Sequence, residues 1–271
     1  MLVRVGFVLG NLTAGNDENR LLLLAHGAVP QMLQVLDDAV RRLRLCRDAE
    51  EQVRLLAEDA EGDEKGSEED EGAVVVSAQN STGRDARSSG AGSSPERKAV
   101  TRAEDLLIKL LRAIANASIN AEFGRAVVRA PQSAALVQLL EMANSDGAAP
   151  MSEELMLNTV SVVTNLTFYC GSQSSSNSLW QSASDVAGLL VSVLLQPNEE
   201  AIVEAARAFG NLSRDASVRI LMTQRRVDEL LVLLLGHANR DIVYTACGAL
   251  INVASDDTCL QVRHKCALEL P

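Results

Sequence analysis

Apolar positions recur along this chain in steps of three and four, in five segments that share one phase. Each segment runs into an asparagine within a short phrase: Gly10-Asn11-Leu12-Thr13, Ala115-Asn116-Ala117-Ser118, Thr164-Asn165-Leu166-Thr167, Gly210-Asn211-Leu212-Ser213 and Ile251-Asn252-Val253-Ala254. Aligned on that Asn, the ninth residue before it is Leu2, Leu107, Met156, Ile202 or Val243. The sixth before it is Val5, Leu110, Thr159, Ala205 or Ala246. The second before it is Leu9, Ile114, Val163, Phe209 or Leu250, and the residue after it is Leu12, Ala117, Leu166, Leu212 or Val253. Such offsets mark one face of an α-helix. Thr159 is the one polar residue in these columns. Three before the Asn stand Val8, Ala113, Val162, Ala208 and Ala249, side chains small enough to let a neighbouring helix come close.

After each of the first four asparagines the same grammar follows: a polar turn, a short helix, a break and a second apolar helix. The clearest copy is Leu21–Leu36, where Gly27 breaks the chain and Pro30 fits the first turn of the next helix. The pattern predicts further second helices at Ala134–Met142, Val186–Leu195 and Val227–Leu235. Each is too short to persist alone, so stability must come from stacking one unit on the next. The asparagines lie 105, 49, 46 and 41 residues apart, and a period of that size is the mark of a helical repeat array.

A short helix, a second helix and a long third helix ending in Gly-Asn-Leu-Ser/Thr resemble the armadillo repeat. The resemblance covers roughly 1–40 and 101–260. It implies an all-α, right-handed superhelical solenoid of about four to five repeats that binds other proteins and is not an enzyme. Phe209-Gly210-Asn211-Leu212-Ser213-Arg214-Asp215 and Asp241 to Leu250 resemble a ciliary branch of the superfamily more closely still. That likeness implies a cytoplasmic or axonemal protein, acting in assembly or transport of motile cilium and flagellum components. Two departures stand out: no first or second helix precedes Leu2–Thr13, and the chain ends soon after the fifth asparagine. A solenoid needs capped ends, so a piece of a longer protein or a truncated gene model is expected.

The spacing of 105 leaves about 63 residues beyond one repeat. Residues 61–98 take up most of that excess, acidic at first and then rich in Ser and Gly. With so few apolar side chains this stretch cannot offset the entropy of folding, and disorder is expected there. The expected organisation is repeats with an extended helix over 1–60, a disordered insertion over 61–98, and repeats again over 99–271. Apolar positions across Gln31–Asp59 predict one long amphipathic helix, either packed on its own solenoid or free to bind a partner. A Ser-rich loop is expected at Gly171–Ser178.

Charge and composition narrow the function. The net charge is −11, but residues 48–72 hold twelve acids and two bases, leaving −1 for the rest. Nucleic-acid binding, which needs a basic stripe, is therefore not expected. Five cysteines, odd in number and without a CxxC, fit reduced thiols. Neither a signal peptide nor an apolar run of membrane-spanning length is present, so no membrane partner is expected. Phosphate-cradle, nucleophile-elbow and zincin motifs are missing, and Cys259, His264 and Cys266 lack a fourth ligand at zinc spacing. Neither a catalytic site, nor a metal, nor a cofactor is expected. The Asn-x-Ser/Thr triplets at 11, 116, 165 and 211 sit on apolar helices, and with a fifth at Asn80 they are read as chance matches to a glycosylation signal.

The candidate binding residues are Asn11, Asn116, Asn165, Asn211 and Asn252. Third helices line the concave groove of an armadillo stack, and in importin-α and β-catenin an Asn there hydrogen-bonds the backbone of an extended ligand. A carboxamide suits that task because it offers a donor and an acceptor. The same residue can instead tie neighbouring repeats or cap a helix end. Four before the Asn stand Phe7, Arg112, Ser161, Arg207 and Gly248. Importin-α repeats Trp at this position, so binding of nuclear localisation signals in its manner is not expected. Arg112 and Arg207 would line the groove, either receiving acidic ligand side chains or remaining solvated.

Overall fold

The computed structural model describes residues 1–65, 94–145, 151–169 and 182–259. Among the described residues the regular structure is helical, with no strand. The first repeat contributes its third helix alone, α1 (Leu2–Thr13). The second supplies α2 (Asp17–Ala25), α3 (Ala28–Lys65) and α4 (Pro95–Ala117). The third supplies α5 (Ala121–Arg129), a 3₁₀ turn at Pro131–Ser133, α6 (Ala134–Ala143) and α7 (Glu153–Phe168). From the fourth come α8 (Ala183–Leu190), a 3₁₀ turn at Ser192–Leu195 and α9 (Glu199–Leu212). The fifth supplies α10 (Ala216–Gln224), α11 (Val227–Leu234) and α12 (Arg240–Ala254).

Helix starts are written in polar residues at the breaks. Asn16, Asn120, Asn198 and Asn239 each accept a first-turn backbone N–H through the side chain, and Ser152 and Asp215 do the same for α7 and α10. This satisfies donors that a helix otherwise leaves orphaned. Between first and second helices the chain turns through a left-handed residue: Gly27 at φ 67° before α3, and Arg226 at φ 58° before α11. Glycine takes that conformation without penalty. Arginine does not, and its guanidinium is fastened to Glu229 at 2.6 Å.

The third helices stack in the order α1, α4, α7, α9, α12. The columns predicted for the core are buried through the middle of the stack: Leu107, Leu110, Ile114 and Ala117 in α4, Met156, Thr159, Val163 and Leu166 in α7, and Ile202, Ala205, Phe209 and Leu212 in α9. Thr159, polar yet fully buried, donates to the Leu155 carbonyl at 2.8 Å. Burial of a side chain such as Phe209 contributes on the order of 1.5–3 kcal/mol, repeated along the stack. In α1 the same columns lie open: Leu2, Val5 and Leu12 are exposed. That helix buries Gly6, Gly10 and Thr13 instead, and a Cβ on Gly6 would stand 3.1 Å from Cβ of Lys109.

The long helix expected over Gln31–Asp59 is α3, 38 residues in length and about 57 Å long. Its first half is core, with Leu33, Leu36, Val40 and Leu43 fully buried. Beyond this, Leu45, Leu55 and Leu56 are exposed. A 3.6 Å ion pair joins Glu50 to Arg97 in the first turn of α4. Around the expected insertion, α3 runs to Lys65 and α4 begins at Pro95, its N-terminus capped by Ser94. The remainder of that stretch with Asn80, the Ser-rich loop at Gly171–Ser178, His264 and Cys266 lie outside the described residues.

Candidate functional site

The third helices bring their asparagines into one line. Asn116 donates through Nδ2 to the Gly10 carbonyl at 3.0 Å, Asn165 to Ala115 at 3.0 Å, Asn211 to Thr164 at 3.1 Å and Asn252 to Gly210 at 3.0 Å. Each acceptor is the residue immediately before the asparagine of the preceding repeat. Asn211 and Asn252 also donate to the Thr167 and Ser213 hydroxyls. A last-turn carbonyl has few donors left in its own helix, although Gly10 also accepts from the Ala14 N–H at 3.1 Å. The ladder therefore ties repeat to repeat, one of the two roles read for these residues. The rung from Asn116 is made despite the 105-residue spacing, so the insertion leaves the stacking register intact. Asn11 has no rung and is exposed.

The ladder uses the amide nitrogens. Among the described residues no donor reaches the Oδ1 atoms of Asn116, Asn165, Asn211 and Asn252, and all four side chains are half-buried. Asn165 and Asn211 open onto a cleft of about 800 Å³ that also takes in Ile119, Phe168, Arg207, Tyr244, Gly248 and Ile251. Its apolar members project into solvent: Ile119 is 55% exposed, Phe168 61%, Tyr244 81% and Ile251 67%. Sequence reasoning did not single these out. The signal was there at the position three after the Asn (Ile119, Phe168) and eight before the last one (Tyr244).

A second, more polar shelf adjoins the cleft along α4, α7, α9 and the start of α12. Arg112, Glu154, Ser161, Glu200, Glu204 and Asp241 line it. Both candidate arginines thus face the groove, but each is engaged. Arg112 Nη2 lies 3.0 Å from Glu154 Oε1, which Lys109 also approaches at 3.8 Å, and Arg207 Nη1 lies 3.0 Å from Glu204 Oε1. Each arginine is thus paired with a carboxylate of the chain, while its side chain stays about half exposed. Burial raises the pKa of Glu204, whose side chain is 18% exposed, and the neighbouring Glu200 charge pushes it the same way, against the opposing pull of Arg207 and Thr164.

Below the cleft the helix ends are clamped. Tyr169 donates its hydroxyl to the Ile119 carbonyl at 3.0 Å and packs its ring over Gly124. Burial raises the Tyr169 pKa, so the phenol stays a donor. Arg214 donates to the Thr167 and Phe168 carbonyls at the end of α7 and stands over the Phe168 ring. These contacts hold Phe168 at the cleft wall.

No protein-family model matches the chain. Among solved structures it superposes on a designed armadillo repeat protein with a TM-score of 0.50 at 17% identity, covering 93% of this chain and 92% of that one. An engineered protein gives 0.51 at 16%, over 93% and 90%. With the Asn ladder and the stacked third helices, this settles the architecture. The fold is an armadillo repeat solenoid. Armadillo repeat-containing protein 2 of Bos taurus is 30% identical over 258 residues, 94% of this chain and 25% of the relative. The protein of the same name from Mus musculus is 37% identical over 161 residues, 59% of this chain and 18% of the relative. The solenoid thus spans about a quarter or less of the length of these relatives.

Proposed function

We propose that this armadillo solenoid is a non-catalytic scaffold that holds an extended segment of a partner protein along its third-helix groove. The observation that carries the reading is the cleft itself: four exposed apolar side chains around half-buried asparagines whose acceptor oxygens are unengaged. An extended backbone has unpaired N–H groups, and Asn165 and Asn211 offer Oδ1 acceptors to it while their Nδ2 groups keep the ladder. The apolar wall supplies the burial that gives such contacts affinity. The resemblance to armadillo repeat-containing protein 2 supports placing this scaffold in assembly or transport of motile cilium components.

Because Asn165 and Asn211 also hold repeats together, the test uses Phe168→Ser with Tyr244→Ser, two changes at exposed positions. Affinity capture from ciliated-cell extract is compared for wild type and variant, with circular dichroism showing equal helicity. Wild type is expected to recover axonemal or transport proteins that the variant loses. Equal recovery by both would refute the groove, and recovery of none by either would refute the ciliary placement. The second reading is a structural component of a larger axonemal complex, attached through the convex face or the solenoid ends, and equal recovery of the same axonemal partners by both forms is the result expected of it.

A further inference from the structure

If the concave face is the binding surface, its charge decides what it binds. Eleven residues before the asparagines of α4, α7, α9 and α12 stand Asp105, Glu154, Glu200 and Asp241, a column of carboxylates across four consecutive repeats, all exposed. Three of them occupy first helical turns, where an acid is favourable beside the helix dipole in any protein. Asp105 does not share that reason. It lies well inside α4, which begins at Pro95, yet it keeps the column.

The cations of the groove are already matched. Arg112 and Lys109 share Glu154, and Arg207 holds Glu204. Asp105, Glu200 and Asp241 form no ion pair among the described residues. Burial raises the pKa of Glu204, and the Glu200 charge beside it adds to that rise. In the lining itself Glu200 and Asp241 leave negative charge uncompensated, beside the exposed apolar side chains of the cleft, and Asp241 borders both clefts; Asp105 lines neither.

We infer that the groove takes an extended partner segment bearing basic side chains next to apolar ones, rather than an acidic segment. This rests on the groove reading above and adds the chemistry of the occupant. Stacked helices lie about 10 Å apart and an extended chain advances about 3.4 Å per residue. Basic side chains roughly three residues apart therefore meet Glu200 and Asp241, while apolar ones reach Phe168, Tyr244 and Ile251. Field complementarity of this kind speeds encounter and rejects partners of like charge.

Fluorescence anisotropy on the whole 271-residue chain tests it. The probes are three labelled peptides of about ten residues, enough to cross the stack, sharing the same leucines and carrying Lys, Glu or Ser elsewhere. The Lys peptide is expected to bind about tenfold or more tighter than the Glu peptide, weakening as salt screens the charges. Glu200→Gln with Asp241→Asn should weaken it about fivefold. Glu50→Gln with Glu51→Gln, which removes as much charge from α3, should leave it unchanged. Equal weakening by both pairs, or no preference for Lys over Glu, overturns the inference. Lys and Glu peptides binding alike, and both lost in Phe168→Ser with Tyr244→Ser, would overturn the charge preference and keep the groove. Binding of every peptide insensitive to Phe168→Ser with Tyr244→Ser would overturn both.

Discussion

Asn116 and Gly10 stand 106 residues apart in the chain and are joined by a hydrogen bond of 3.0 Å. That bond is the same rung that Asn165, Asn211 and Asn252 make across much shorter separations. Asn116→Ala removes the cross-repeat donor to the Gly10 carbonyl, which keeps its bonds from the Ala14 N–H and the Thr13 hydroxyl, and a loss of about 0.5–1.5 kcal/mol is expected. Asn116→Asp should cost at least as much, because a carboxylate cannot donate. Urea unfolding followed by circular dichroism measures both, and an unchanged midpoint would show that the rung contributes nothing.

Gly124 is fixed by the ring above it. A Cβ there would lie 2.3 Å from Cε2 and 2.5 Å from Cδ2 of Tyr169, and 3.1 Å from the Ser118 carbonyl oxygen. Gly124→Ala is expected to destabilise by about 1–3 kcal/mol through overpacking. In Tyr169→Ala the same glycine change should cost much less, so the double variant falls short of the sum of its parts. A thermal-melt cycle of the four proteins reads the coupling, and full additivity would contradict the contact.

Glu204 carries a pH dependence whose sign follows from its burial. Its pKa is higher in the folded chain than in the unfolded one, so ionisation works against the fold. The contribution to stability falls as pH rises through the folded pKa. Glu204→Gln is therefore expected to raise the melting temperature at pH 7, with the gain vanishing below the unfolded carboxylate range. A loss at pH 7 would mean that the Arg207 pair outweighs the cost of burial.

Asp256 has the opposite sign. Hydrogen bonds from Thr258 first, then from Arg219, lower its pKa from 3.8 to about 2. Arg219 spends Nε on this carboxylate at 2.6 Å and Nη1 on the Ser213 carbonyl at 2.8 Å, so the pair links α10 to both neighbouring third helices. The stability it supplies is complete above the unfolded pKa and is lost as pH falls through about 2. Asp256→Asn should lower the melting temperature at pH 6 and differ little from wild type near pH 2.

Much of this was legible in the chain. Columns at steps of three and four located the third helices, Gly27 and Pro30 marked the entry to α3, and the Asn phrase set the repeat phase. The matching entry to α11 was hidden because Arg226, not glycine, holds the left-handed turn, and Glu229 is what fastens it. The two roles of the asparagines could not be separated by residue type, since one carboxamide can donate to a repeat and accept from a ligand. Arg112 and Arg207 were placed in the groove by spacing, but their partners come from different positions relative to them. Glu204 is three residues away on the same helix, whereas Glu154 is 42 residues on, across a helix interface. Only packing reveals the second kind.

The rung between Asn116 and Gly10 also bears on the order of assembly. The three later rungs close over 42 to 50 residues, whereas this one spans more than twice that length. Loop-closure entropy alone makes it dearer by about 0.8 kcal/mol. Contacts of short separation form first. The later repeats are thus expected to form first, and α1 to dock after them, onto a surface its neighbours have already built.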